Sequence, residues 1–416
     1  MKIRKALLVA PDHNRLYGGF AVAVSLFVFA YSFRIGQVSV LAYYALWMPL
    51  ILVDYRFTLG RLVHSPQLLA FALIACLSWF WSDAPDITAR AGLQYLSHVV
   101  CAVIAARVID ARTLTVGALS GIAAILAYSI AVGGSVYDAL DGTYSFVGAF
   151  ASKNQLAFYA SLGILFGCYF VLFLGTGRLS RLLALAVAVL SAALLAMSKS
   201  ATSMLATPAA LTLILVGATL QAFSPAQRRV FFAATAAVGI VAVLAALNLG
   251  AVDMVLGAFG KDSTLTGRTY LWQQGFDAAA TQPWLGVGYQ AYWVQGFSEA
   301  ERLWKEFYID SRSGFHFHNT YIEAFVELGY VGTAAIALPL IAALGLCIRG
   351  LLGSRVWTEP LLFSGILALL AIRSFFEVDM LQPYAVGSFL LYFCWARAQE
   401  NAAQSSITRP AFARTA

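Results

Sequence analysis

Charge is what this chain has least of. Only 11% of its 416 residues are Asp, Glu, Lys or Arg, while 61% are hydrophobic. Soluble domains carry about 25% charged and about 45–50% apolar residues, so a water-exposed surface over the whole chain is excluded. Cysteine offers no framework. The five present (Cys76, Cys101, Cys168, Cys347 and Cys394) lie in apolar runs, and none is spaced as a metal-binding pair. Neither a disulfide scaffold nor a zinc site is implied, and the thiols read as packing residues. There is no HExxH, Walker A, GxSxG or CxxC sequence, and no evident internal repeat. Metalloprotease, nucleotide-hydrolase and serine-hydrolase signatures are therefore absent, and neither a metal nor a cofactor is expected. The net charge of +7 is spread over short loops, where it reads as topology rather than as a surface for nucleic acid.

Apolar runs are what the chain has in abundance. They fall at about 17–33, 38–53, 67–82, 91–106, 113–133, 155–175, 181–198, 202–223, 230–250, 320–348, 358–376 and 384–396. A helix needs about 20 apolar residues to cross a bilayer, and shorter ones are helped by interfacial aromatics. The expectation is an all-α membrane protein of about 12 transmembrane helices. Residues 1–250 would hold spans one to nine, 251–319 a large outer loop with interfacial helices, 320–397 spans ten to twelve, and 398–416 a polar, disordered tail. The first run follows Lys2, Arg4, Lys5 and Arg15 but lacks a clear cleavage site, so it reads as a retained anchor.

With both termini in the cytoplasm, each inner loop receives a basic pair: Arg56 and Arg61, Arg107 and Arg112, Arg178 and Arg181, Arg228 and Arg229, Arg349 and Arg355. That is what the positive-inside rule requires. Three cations depart from it. Lys153, Lys199 and Arg373 stand nearly alone in short outer loops beside apolar runs. One such residue could snorkel to a headgroup; three at the same side point to an anion.

The outer helix starts support that reading. Lys153-Asn154 opens span six, with Asn154 a candidate N-cap. Lys199 precedes span eight. His318-Asn319 precedes Thr320-Tyr321-Ile322-Glu323, a capping-box pattern with Thr320 as the cap. Unpaired N–H groups at helix starts, with lysines beside them, suit phosphate or pyrophosphate. In the long loop, Arg268, Trp272 and Phe276 recur at helical spacing, as in an interfacial helix with buried aromatics and Arg268 aimed at a phosphate. His316 and His318 are the two histidines expected outside. The adjoining helix N-terminus would keep His318 neutral and able to take a proton from a hydroxyl. Arg373 and Glu377 end span eleven, either as a phosphate contact with an orienting carboxylate or as a structural pair.

At this point the chain resembles the O-antigen ligase and polymerase superfamily of bacterial membrane glycosyltransferases. The matching segments are Leu77-Ser78-Trp79-Phe80-Trp81-Ser82-Asp83-Ala84-Pro85, Phe150-Ala151-Ser152-Lys153-Asn154 and Ser198-Lys199-Ser200. Gly267-Arg268, His318-Asn319-Thr320-Tyr321 leading to Glu327-Leu328-Gly329, and Arg373-Ser374-Phe375-Phe376-Glu377 complete them. The resemblance implies a metal-independent, inverting enzyme of the GT-C type in the bacterial inner membrane, with its active site facing the periplasm. It would transfer a glycan from undecaprenyl pyrophosphate to a sugar hydroxyl of lipid A–core, as a ligase. The polymerase members use the same donor with a second lipid-linked glycan as acceptor. By that resemblance Lys153, Lys199, Arg268 and Arg373 hold the pyrophosphate and Arg312 assists. His318 acts on the acceptor, and His316, Asn154, Asn319 and Glu377 support. A transporter or flippase is the rival from another class, but transporter charges gather near the bilayer midplane, whereas these lie at helix ends.

The orientation has a direct test. A tag at residue 416 should report the cytoplasm and one in the 34–37 loop the periplasm. A periplasmic C-terminus would overturn the topology and the facing of every residue above.

Overall fold

The structure is a computed structural model that describes residues 4–138, 142–248, 257, 267–353 and 358–407. In lipid no water satisfies backbone polar groups, so apolar runs close their hydrogen bonds as helices. Among the described residues seven helices are long and apolar enough to cross a membrane: Leu16–Ile35, Pro85–Val108, Ala111–Val132, Lys153–Leu174, Arg178–Ser198, Ala201–Leu220 and Thr320–Leu351. In chain order the elements are α1 (Ala6–Val9), α2 (Leu16–Ile35), α3 (Ser39–Trp47), α4 (Pro49–Thr58), α5 (Gly60–His64), α6 (Ala70–Leu77), α7 (Pro85–Val108) and α8 (Ala111–Val132). After the strands β1 (Gly134–Asp138) and β2 (Thr143–Gly148) come α9 (Lys153–Tyr169), α10 (Arg178–Ser198), α11 (Ala201–Leu220) and α12 (Pro225–Asn248). The last five are α13 (Arg268–Ala279), α14 (Ser298–Glu306), α15 (Thr320–Leu351), α16 (Glu359–Arg373) and α17 (Val386–Ile407).

The chain is a mostly helical membrane protein, but the twelve runs do not become twelve continuous spans. The 38–53 run breaks where Pro49 enters, and α3 meets the helices after it at 42°; counted as one bent span, this pair makes an eighth. The 67–82 run yields a short 3₁₀ turn and the eight-residue α6. The 358–376 run yields the 15-residue α16. Pro360 to Leu370 of α16 are buried on every face, so protein encloses this helix on all sides. Outward-facing leucines and valines on α10 and α12, such as Leu182, Leu185, Val189, Val238 and Val241, are exposed. An apolar surface of that extent fits hydrocarbon and not water.

Inside the bundle α2 packs on α8, α9 on α10 and α11, α7 and α15 on α17, and α16 on α11. Small residues let backbones approach, as transmembrane packing requires. Gly163 and Gly167 of α9 face α10, where an added Cβ would lie 2.2 Å from Ser191 Oγ and 2.8 Å from Ala188 Cβ.

Three other features correct the reading from sequence. The fold is not wholly helical: β1 and β2 form an antiparallel hairpin with Tyr137 opposite Tyr144. The alternating β-branched and aromatic residues after Gly142 carried that signal. The tail expected to be disordered from Ala398 instead continues α17 to Ile407. It is held there because Arg397 and Asn401 donate to the Glu359 carboxylate at 2.9 Å. Lys2, Lys261, Thr266, Arg355, Arg409 and Arg414, and the boundary at 250/251, lie outside the described residues.

The third correction positions the site. The helix expected as span ten is broken at Gly329, whose φ of 62° and ψ of −161° belong to no helix. A strap, residues 283–288, lies in the break. Tyr330 N donates to Pro283 O at 2.8 Å, Gly288 N to Glu327 O at 2.8 Å and Val287 N to Val326 O at 3.1 Å. The Trp-rich motif before α7 clamps the strap from the other side. Trp81 Nε1 donates to Leu285 O at 2.9 Å, and Asp83 N to Val287 O at 2.9 Å. The first nine residues of α15 are thereby fixed as a separate short helix whose start faces the segment 374–379.

A Cβ on Gly329 would lie 2.2 Å from the Trp284 carbonyl carbon, in a backbone region that costs other residues about 1–3 kcal/mol. Gly329→Ala should therefore lower the thermal unfolding midpoint of detergent-solubilised protein. Gly345→Ala, on the same helix with open space around it, should leave the midpoint nearly unchanged. Equal midpoints would show that the break is not enforced.

Candidate active site

Glu377 is the residue on which the candidate site converges. Its carboxylate is 7% exposed and follows α16 by four residues. A buried carboxylate needs donors; two segments distant in sequence supply them, and a third brings an imidazole close. Arg268 Nη2, at the first residue of α13, donates to Oε1 at 3.1 Å. Asn154 Nδ2, in the first turn of α9, donates to the same oxygen at 2.7 Å. His318 Nδ1 lies 3.8 Å from Oε2, an ion-pair distance too long for a hydrogen bond. Arg268 Nη1 also donates to Phe376 O at 2.9 Å, so its planar fork is held by two neighbouring residues. Gly267 takes φ of 82°, which lets the chain turn abruptly and present Arg268.

The histidines are set by α15. Asn319 caps this helix, its Oδ1 accepting from Tyr321 N at 2.9 Å and Ile322 N at 3.2 Å. Thr320, expected as the cap, instead donates to Glu377 O at 2.7 Å. Glu323 does not close a capping box. It reaches past the cap to accept from Phe317 N at 2.7 Å and Trp293 Nε1 at 2.8 Å. Trp272 Nε1 holds Phe317 O at 2.9 Å. These bonds fix Phe317 and force His318 into a left-handed backbone, φ 52°. The rings of His316 and His318 stand edge to face, 4.2 Å apart, and His316 Nδ1 accepts from His318 N at 3.1 Å. That bond occupies one nitrogen of His316. In His318, Nδ1 has no hydrogen-bond partner among the described residues.

The other expected residues divide. Asn154 is not the N-cap of α9. Ser152 takes that place, accepting from Gln155 N at 3.2 Å, which frees Asn154 to bridge Glu377 and Ser200. Ser200 Oγ donates to Asn154 Oδ1 at 2.8 Å, so the α10–α11 junction joins the same network. Lys199 caps α10 in a left-handed conformation, φ 51°, exposed and one residue from that bond. Lys153 opens α9. Arg312 is not brought to the cluster; it is exposed and pairs with Glu301 at 3.3 Å. Of the helical stripe in the loop, Trp272 is half-buried while Phe276 is 49% exposed.

Arg373 changes role. It is 1% exposed and does not pair with Glu377; its partner is Asp379, with Nε to Oδ2 at 2.6 Å and Nη2 to Oδ1 at 3.1 Å. It also donates to Ser203 Oγ and to Asn154 O and lies 4.4 Å over the Phe158 ring. Every guanidinium nitrogen of Arg373 is thus engaged by protein, which leaves it little to offer an anion and ties Asp379, Ser203 and Asn154 together. Asp379, Ser203 and Phe158 were missed in the sequence. The carboxylate two residues beyond Glu377 was the available signal.

The electrostatics follow from these contacts. Burial pushes the Glu377 carboxyl up, but His318, Arg268 and Arg373 outweigh it and hold it well below the usual carboxylate range. Burial lowers the His318 imidazole, aided by Arg268 and opposed by Glu377. His316 is pushed down to about 3, by burial first and then by its neighbour His318. Both rings are thus neutral near pH 7, as expected for His318, although burial and Arg268 account for it here. A neutral imidazole beside a firmly ionised carboxylate can accept a proton and have the resulting charge stabilised. His316, His318 and Glu377 also offer ligand atoms within 4.8 Å of one another. A tetrahedral zinc with ligands at about 2.0–2.1 Å wants them about 3.3 Å apart, and Arg268 and Asn154 already occupy Glu377 Oε1. The arrangement suits proton transfer better than coordination.

The O-antigen ligase family model matches residues 186–337, a stretch from α10 to the broken helix α15 that includes Lys199, Arg268 and both histidines. The chain is also 56% identical over 393 residues to the exopolysaccharide production protein ExoQ of Rhizobium meliloti (strain 1021), covering 94% of this chain and 90% of that protein. The chain belongs to the O-antigen ligase family. Glycosyltransferase-type ligases and polymerases make up that family, so an enzymatic role follows from membership.

His318→Ala should cut glycan transfer by about 10²–10⁴, the usual contribution of a general base, while His316→Ala keeps a substantial part. The wild-type rate should stay flat as pH falls through 6.5, because the lowered His318 pKa preserves the neutral ring there. It should decline only at lower pH. A midpoint at or above 6.5 in a pH–rate profile, or a dead His316→Ala beside an active His318→Ala, would reverse the assignment.

Proposed function

We propose that the chain is a polymerase-type glycosyltransferase of exopolysaccharide synthesis. It would transfer a glycan from undecaprenyl pyrophosphate to a hydroxyl of a second lipid-linked glycan. The convergence of Arg268 and His318 on one buried carboxylate carries this reading, since it sets a phosphate-binding cation beside a base. The exopolysaccharide function in the relative's name favours a glycan acceptor over lipid A–core. In this reading the site faces the periplasm of the inner membrane, both termini are cytoplasmic, and the architecture is of the GT-C type with about twelve crossings.

The acceptor oxygen would attack the sugar C1 while the C1–O bond to pyrophosphate breaks on the opposite face, inverting the anomeric centre. The hydroxyl proton would pass to His318, whose positive charge Glu377 balances. Charge would develop most at the departing pyrophosphate, and its stabilisation should be the largest contribution. Arg268 would have a free edge for this, because its two bonds among the described residues leave Nε and further N–H groups unspent there. Lys199 and Lys153 stand at the adjoining helix starts, where N–H groups favour an anion. Arg373 holds Asn154 and Asp379 in place. The chemistry needs no metal, and excess chelator should leave the rate unchanged.

Ligation to lipid A–core is the second reading, favoured by the description of the family. Deletion in the native host separates the two. Loss of polymeric exopolysaccharide with unchanged lipopolysaccharide on gels supports the polymerase; undecorated core with accumulating lipid-linked chains supports the ligase. Arg268→Ala should reproduce the deletion at normal protein level, and wild-type polymer from that variant would sink both readings.

A further inference from the structure

The segment that carries Glu377 continues into a feature the reaction above does not use. Beyond Asp379 the chain runs through Gln382 to Tyr384 before entering α17. Gln382 meets Gln290, which follows the strap by two residues, and Gln290 Nε2 donates to Gln382 Oε1 at 2.7 Å. Two side-chain amides are thus joined edge to edge. Gln290 Oε1 and Gln382 Nε2 have no protein hydrogen-bond partner among the described residues, and both residues are only half-buried. Beside them, half-buried Tyr384 bonds through its hydroxyl to Tyr44 Oη at 2.7 Å, with the rings at 89°.

This surface is held rigid. Tyr95 Oη donates to Met380 O at 2.7 Å, Ser388 Oγ to Gln382 O at 2.9 Å, and the Tyr289 hydroxyl to Leu381 O. Two residues before Gln290, Gly288 N donates to Glu327 O at 2.8 Å. Gln290 and Tyr384 both adopt left-handed backbone, φ 57° and 58°. Six non-glycine residues do so among the described residues; Lys199 and His318, at the candidate site, are two of the others, whereas Arg312 lies away from it. Non-glycine residues persist in this conformation only where surrounding contacts enforce it, and such positions gather at functional sites. From Thr320, beside Glu377, to Glu327, beside Gln290, is seven residues of helix, or about 10 Å. That is a span of one to two sugar rings.

We propose that Gln290, Gln382, Tyr384 and Tyr44 form a sugar-binding ledge that positions the acceptor glycan. Paired amides present a donor and an acceptor side by side, the pattern needed for adjacent hydroxyls on a pyranose. Aromatic rings cover the apolar faces of such sugars. The ledge rests on the transferase reading above and supplies its acceptor subsite, one or two residues of the glycan away from His318.

The test uses full-length protein in nanodiscs, with lipid-linked repeat units extracted from cells lacking the chain as substrate. Binding of undecaprenyl pyrophosphate is followed separately through tryptophan fluorescence. Gln290→Ala with Gln382→Ala should raise KM for the lipid-linked glycan about tenfold or more, with a smaller change in kcat, as for lost substrate hydrogen bonds. Affinity for undecaprenyl pyrophosphate should not change. Tyr384→Phe should keep a near-normal KM and Tyr384→Ala should raise it. This second pair decides the matter if the glutamine variant fails to fold, as judged by lost undecaprenyl pyrophosphate binding. An unchanged KM in folded Gln290→Ala, Gln382→Ala protein, or in Tyr384→Ala, overturns the ledge. So does weakened undecaprenyl pyrophosphate binding in folded Tyr384→Ala. Arg268→Ala serves as the separate control, because normal transfer by that variant would overturn the transferase reading itself.

Discussion

A carboxylate removed from water has to be compensated locally, and in this protein Glu377 imposes that requirement on the loop-bearing end of the bundle. Its ionised form is retained only because Arg268 and Asn154 bond it and His318 stands close. Those residues come from α13, α9 and the entry to α15, so the charge ties together segments that lie far apart in sequence. Removing one partner of a buried ion pair leaves an uncompensated charge, at a cost of about 3–5 kcal/mol. The same interaction therefore assembles the site and tunes it. It restrains the Arg268 fork and provides a counter-charge for any proton that reaches His318.

A comparison of the arginines shows why residue type alone does not define an anion site. Arg268 and Arg373 carry the same group and lie within the same network. Arg373 is 1% exposed and spent on Asp379, Ser203 and Asn154, whereas Arg268 remains 18% exposed with part of its guanidinium unbound. A buried arginine with every nitrogen bonded organises neighbours, and a half-satisfied one can receive a ligand. Arg312, exposed and paired with Glu301, does neither at this site. Three cations grouped together by sequence thus separate by burial into one with part of its guanidinium open, one enclosed by protein partners and one held at the surface away from the cluster.

The bundle was largely legible because its signals are strong and local. Long apolar runs mark most of the helices, and the isolated cations Lys153, Lys199 and Arg373 mark the end where the candidate site lies. The choice between adjacent polar residues was not legible. Asn319 rather than Thr320 caps α15, and Ser152 rather than Asn154 caps α9, because the alternative residue is in each case claimed by Glu377. Both Thr320 and Asn154 would serve as caps if the helix stood alone. The breaks in the apolar runs have similar origins. Gly329 lies within a continuous hydrophobic stretch, and only the strap crossing behind it accounts for its φ. In each instance a partner more than forty residues away decides between local options of similar energy, and no window of sequence contains that partner.

The strained backbone at this end follows from the same construction. A left-handed conformation costs a non-glycine residue about 1–2 kcal/mol, and His318 has no short polar side chain to offset that cost by bonding its own backbone. The anchors on either side enforce it. Phe317 is held through N–H by Glu323 and through its carbonyl by Trp272, and Asn319 is committed to the cap and to Phe375 O. Between two fixed residues the intervening one has little freedom left, and the His318 ring is placed beside Glu377 as a consequence. Among the described residues neither Glu323 nor Trp272 makes a side-chain hydrogen bond to Glu377 or to Arg268, yet the direction of the imidazole depends on them. The placement of the His318 ring is therefore set one layer away from it, by groups whose own positions depend on the short helix that the break at Gly329 creates.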